Sequence, residues 1–184
     1  MRNLLLVVMV GFICSSCSIN GIAFFADVDQ YSDYICDVED EEIDKIVFSS
    51  LNNKERALKI GTFIFSKIDY ASDIKTNCWQ TAEETWKLKT GDCEDGALLY
   101  ASILVKKEII EVKDIAFIIF RVYGNVYHMI TYDKSNNILF SFSDLGAVVT
   151  NEDRVNYILS SIETCRTFSY QEAVFQAKTK TFLY

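Results

Sequence analysis

The sequence predicts an α+β fold. The hydrophobic period changes at Lys113-Asp114, capped helical stretches precede that point, and turn signals divide the chain after it into strands. The first helical stretch begins near Asn53, a capping residue, and repeats apolar side chains at Ala57, Ile60, Gly61, Ile64 and Ile68 in three- and four-residue steps. Thr81-Ala82-Glu83-Glu84 has the spacing of a capping box, with Thr81 as N-cap and Glu84 reaching back, and this second helix ends by Lys89-Thr90-Gly91. Asp92 caps a third helix running through Ala97, Leu98, Ala101, Leu104 and Val105, apolar enough to be buried. From Ile115 the chain turns β-branched and aromatic. Strands are expected over 115–123, 126–133 and 138–144, separated by Gly124-Asn125 and by Lys134-Ser135-Asn136-Asn137, as an antiparallel meander with Phe117, Ile119 and Val122 in the core. A helix around Asp153 to Ser161 and a mixed C-terminal segment complete the chain.

At 184 residues, half of them apolar, the chain has the size of one domain and enough apolar surface for a core, which excludes a disordered chain. Acidic residues outnumber basic ones by 26 to 18, for a net charge of −8. Affinity for a phosphate backbone comes from clustered Lys and Arg, so a general nucleic-acid binder is excluded. His128 is the single histidine, so histidine-dependent chemistry has one agent.

Leu4 to Ile13 form an apolar run preceded by Arg2 and followed by Ser15, Ser16 and Cys17, the layout of a secretory signal over residues 1–17. Ten apolar residues fall short of the roughly twenty needed to span a bilayer. The end of the run resembles a bacterial lipoprotein signal with Cys17 as the lipidated residue, although Cys14 stands where leucine is usual; cleavage after a small residue is the other reading. The expected location is therefore exported, periplasmic or at the cell surface, with the membrane touched only through this segment. Residues 18–52 are acidic, and Asp37, Glu39, Asp40, Glu41, Glu42 and Asp44 read as a solvated face or tether. Asp27 and Asp29 begin an EF-hand spacing that fails at Tyr31, Ser32 and Val38. The remaining domain spans 53–184.

The chemistry concentrates between Trp79 and Ala97. Capped by Asp92, Cys93 sits in the first turn of a helix, where unpaired N–H groups and the macrodipole favour a thiolate. Asp92, Glu94 and Asp95 oppose that ionisation, so a cationic partner is needed, and His128 is the only imidazole that can serve. Asp144, near the end of the following strand, is the expected group to orient His128. Asp133 is an odd number of residues along the same strand and so faces away.

These residues resemble the transglutaminase-like superfamily, in particular the bacterial transglutaminase-like cysteine peptidases. Their signature is Trp-x-Thr-Pro-x-Glu, then Gly-Asp-Cys-Glu-Asp with an aromatic and Ala. Trp79, Thr81, Glu84, Gly91, Asp92, Cys93, Glu94, Asp95 and Ala97 fall in register, while Ala82 replaces the proline and Gly96 the aromatic. The similarity covers roughly residues 54 to 146. It implies a papain-like fold, with Cys93 as nucleophile on a central helix and His128 and Asp144 on the sheet. It also implies acyl transfer at an amide or peptide bond through a thioester. The oxyanion would meet the Cys93 N–H and one side chain among Gln80, Trp79 and Tyr70. Some relatives bind calcium through acidic residues flanking the cysteine; Asp92, Glu94 and Asp95 match those positions, and no other cofactor is implied. The expected partner is a protein or peptide substrate. The competing reading is a surface-tethered peptide-binding module on an inactive scaffold of the same kind.

Overall fold

The computed structural model describes residues 38–72, 79–124 and 126–180. The signal segment, Cys17, Cys36 and Cys78 lie outside the described residues. Helices α1 (Glu41–Val47), α2 (Asn53–Lys67), α3 (Ala82–Leu88) and α4 (Cys93–Lys106) precede the main sheet, with short strands β1 (Asp69–Tyr70) and β2 (Thr90–Gly91) between them. Then come β3 (Ile115–Tyr123), β4 (Val126–Asp133), β5 (Ile138–Ser141), β6 (Ala147–Val149), α5 (Glu152–Ser161), β7 (Thr164–Ser169) and α6 (Tyr170–Thr179).

Caps set the helices. Thr81 accepts from Glu84 N–H at 3.2 Å and Glu84 returns to Thr81 N–H at 2.7 Å, the box read from the sequence. For α2 the cap is Asn52, one residue earlier than expected, because its side chain accepts from Glu55 N–H at 2.9 Å while Glu55 answers to Asn52 N–H. Helix α4 is the spine of the domain, buried at every position from Cys93 to Leu104. A stretch enclosed on all sides loses amphipathic patterning, which matches its near-continuous apolar run.

Strands β3 to β7 form one antiparallel sheet in the order β6-β5-β4-β3-β7. One face packs on the helices through Phe117, Ile119, Met129, Ile138 and Phe140, and Thr131 donates to the Ala97 carbonyl of α4 at 3.1 Å. The other face carries Ile118, Ile130 and Leu139, covered by Val155 of α5. Strand alternation produces the split. Asp133 is fully buried and holds Ser135 and Asn136 in the following turn.

Three expectations change. Residues 38–52 do not form only a solvated face: Asp40 caps α1, whose Ile43 is fully buried, so the acidic run clothes a helix that joins the core. Strand β5 ends at Ser141, three residues short of Asp144. Val122, expected in the core, is 60% exposed. Pairing of β3 with β7 stops at Phe120 and that of β4 with β5 at Ile130, so the β3–β4 hairpin runs on past its neighbours with the register shifted between Arg121 and Tyr123. Among the described residues no helix is long and apolar enough to cross a membrane.

Candidate active site

Cys93 opens α4, and Asp92 occupies the N-cap position in extended conformation. Behind them Asp95 folds back: its carboxylate accepts from Asp92 N–H at 3.3 Å and from Gln80 N–H at 2.6 Å, tying the segment before α3 to the turn that carries Cys93. Gly91 is needed for this fold-back. A Cβ there would lie 2.7 Å from the Asp95 Cβ, so the absence of a side chain is used by the chain's own close approach.

The thiol is buried, 8% exposed, and donates to Glu94 Oε2 at 3.0 Å. Burial pushes Cys93 far above the ordinary thiol range, the Glu94 charge and hydrogen bond and the Asp92 charge add to the rise, and the backbone N–H of Met129 opposes it. The helix terminus and the acidic neighbours were in conflict in the sequence; in this arrangement enclosure and the carboxylates win, and the resting group is a thiol. Burial also raises Glu94.

The Met129 N–H belongs to the peptide that joins His128 to Met129, so the sulfur lies against the backbone unit bearing the sole histidine. The His128 ring is half-buried, and its Nε2 bonds Ser141 Oγ at 2.8 Å. Burial pushes its pKa down, leaving a neutral imidazole at neutral pH, the form that accepts a proton. Asp144, expected to hold this ring, is exposed in the turn after β5, closed by Gly146 N–H to Ser143 carbonyl at 2.8 Å. The reason is the early end of β5, which takes Asp144 off the sheet.

Tyr70 is delivered by topology. Parallel pairing of β1 with β2 sets it beside Gly91, two residues before Cys93. Its phenol is pushed up to about 12, first by burial and then by the charges of Cys93, Asp92, Asp144 and Glu94. Tyr70 thus stays protonated as a donor among the groups around the thiol. The other oxyanion candidates are differently engaged. Trp79 packs edge-on against Phe168 at 5.6 Å, and its carbonyl accepts from Lys180. Gln80 has a buried Oε1 with no partner among the described residues. Sequence reasoning missed Ser141, whose only signal was its place in the strand after His128.

For calcium the three carboxylates divide. Asp92, Cys93 and Glu94 each bring one ligand atom within 4.8 Å of the others. Asp92 and Glu94 supply hard oxygen donors that fit such an ion, which takes about six to eight oxygens in all. Asp95 fits poorly, since both its oxygens serve backbone N–H groups. Cys93 and Cys165 form no disulfide among the described residues.

The electrostatics give a checkable consequence. Alkylation proceeds through the thiolate, so with EGTA present Cys93 in the folded chain reacts with iodoacetamide at pH 8 at least about tenfold more slowly than in urea. Glu94→Gln recovers part of the loss, and peptide mapping by mass spectrometry assigns the label. A thiol raised on folding stabilises the fold below its unfolded value, near 8.5, and loses that contribution as pH climbs above it. Faster alkylation of the folded parent than of the unfolded chain contradicts this account of the charges.

The described residues form an α+β architecture in which a cysteine-bearing helix packs on a five-stranded antiparallel sheet, the fold class expected from the sequence. Among solved structures, the chain has the fold of LapG from Legionella pneumophila, with 18% identity over 69% of this chain and 70% of that one and a TM-score of 0.52. The EGTA-treated form of LapG gives the same TM-score and identity over 68% of its length. A cysteine-protease candidate from Cytophaga hutchinsonii aligns at 17% identity over 71% of this chain and 48% of that one, with a TM-score of 0.41. Neither protein-family profiles nor curated proteins match the sequence.

Proposed function

We propose that the chain is an exported thiol enzyme acting on amide bonds, a cysteine peptidase of transglutaminase-like type, with Cys93 as nucleophile and His128 as acid and base. The supporting observation is a thiol in the first turn of α4 lying against the peptide between His128 and Met129. His128 takes the thiol proton as sulfur attacks the substrate carbonyl and the C–S bond forms. The developing oxyanion meets the Cys93 N–H and the Tyr70 hydroxyl. His128 then gives the proton to the departing amine as the C–N bond breaks, leaving a thioester. Attack on that thioester by water completes hydrolysis; attack by an amine gives transfer. Hydrolysis is the favoured course.

Asp92 and Glu94 would hold calcium, with Asp95 bracing the turn behind them. With a divalent cation on them, these two carboxylates would no longer oppose ionisation of Cys93. The N-terminal apolar run supports export, with Cys17 as the residue a lipid would modify. One observation favours the peptide-binding module instead: the resting thiol bonds a carboxylate, not an imidazole.

Fluorescein-labelled casein, with calcium and with EGTA, separates the readings. The enzyme releases acid-soluble fluorescence and incorporates dansylcadaverine more slowly than it hydrolyses. A parent chain that cleaves and couples nothing under either condition, while a Cys93→Ser chain binds casein peptides equally well, establishes the binding module.

A further inference from the structure

We infer that Ser141 orients the His128 imidazole for catalysis, in the place the sequence reading gave to Asp144; the role rests on the peptidase reading above. Ser141 closes β5 directly opposite Ile130, two residues from His128 on β4. On one face of an antiparallel pair such diagonal neighbours are within side-chain reach. The Ser141 Oγ accordingly meets Nε2 at 2.8 Å. The ring is fixed from a second side by Phe120, its direct partner on β3, which it meets edge-on with centroids 5.6 Å apart and planes at 80°. Two contacts on different strands restrain the ring, and with Nε2 engaged, Nδ1 is the nitrogen left for proton exchange with sulfur.

A serine hydroxyl suits the task because it both donates and accepts. In the Nε2–H tautomer it accepts from the ring and leaves Nδ1 bare for the thiol proton, and it continues to accept when the ring carries both protons. What it lacks is charge. An aspartate in contact would orient the ring and also stabilise the imidazolium; Ser141 supplies only the first, so the ring is positioned without being charged in advance. Asp144 stands three residues further on, exposed, where its charge bears on Tyr70.

His128 is the only histidine, so 15N-histidine labelling of the full chain yields one pair of imidazole nitrogen signals to follow. In Ser141→Ala the Nε2 signal moves, kcat on labelled casein falls at least about tenfold, and KM stays within about twofold, the pattern of a lost transition-state interaction. Ser141→Thr, which keeps the hydroxyl, restores most of the rate and the parent signal. The inference is overturned if Ser141→Ala leaves both the Nε2 signal and kcat at parent values, or if Asp144→Asn costs more kcat than Ser141→Ala. A parent chain inert on casein whose Nε2 signal still responds to Ser141→Ala fails differently. That result removes the peptidase reading, and Ser141's catalytic role with it, while the contact between the two side chains stands.

Discussion

Cys93→Ala leaves casein hydrolysis at background, and His128→Ala lowers kcat by roughly a thousandfold or more with KM near the parent value. Neither side chain is expected to hold substrate in the ground state, so binding survives while turnover does not. The two losses should not add, because nucleophile and proton acceptor act as a unit. The double variant is then no slower than Cys93→Ala alone. Circular dichroism and thermal unfolding of Cys93→Ala keep the test clean: the variant removes a buried thiol from a crowded acidic turn and is expected to unfold no earlier than the parent. Retention of more than about a tenth of the parent rate by Cys93→Ala would be incompatible with covalent catalysis at this sulfur.

Gly96→Ala destabilises the fold by about 3 kcal/mol, read as a lower urea midpoint with unchanged slope. A helix interior ordinarily gains about 1 kcal/mol from this exchange. Here a Cβ would sit 2.2 Å from the Phe142 ring, and that ring has nowhere to go. It is 1% exposed and held among Phe65, Tyr70 and Phe140, with centroids 5.8, 5.8 and 6.4 Å away. Steric overlap therefore outweighs helix propensity. Phe142→Ala alone leaves a void and costs about 3–5 kcal/mol. Combined, the two changes should cost less than their sum, because the small residue on the sheet makes room for the methyl on the helix. Strict additivity would show that the ring can retreat and that the contact matters little.

That contact also shows where the sequence was readable. The resembling family has an aromatic at the position of Gly96. The structure instead fills the space from the opposite partner, with Phe142 reaching across from the chain just after β5. Local grammar was legible: the Thr81 box, the Asp92 start and both boundaries of β3 and β4 match, because caps and period changes are written in neighbouring residues. Helix α1 was hidden, since six acidic residues outweighed the single buried Ile43 in any reading of pattern. The C-terminal segment hid β7 and α6, although Ser169 and Glu172 form a capping box at their junction. Cys93 and His128 could be named from residue type and motif. The partners they have, Glu94, the Met129 N–H and Ser141, depend on register and on where β5 stops, which no short stretch encodes.

The two-rung pairing of β1 with β2 has a larger reach than its size suggests. Asp69 and Ala71 donate to the carbonyls of Lys89 and Gly91 at 2.9 Å each, and these bonds are what moor the tail of α2 to the approach of α4. A phenol contributed by one stretch of chain and a sulfur contributed by another thus share a single small clasp. Whatever pries that clasp open would separate the two groups at once, so the proposed site should fail as one piece, before the helices themselves begin to melt.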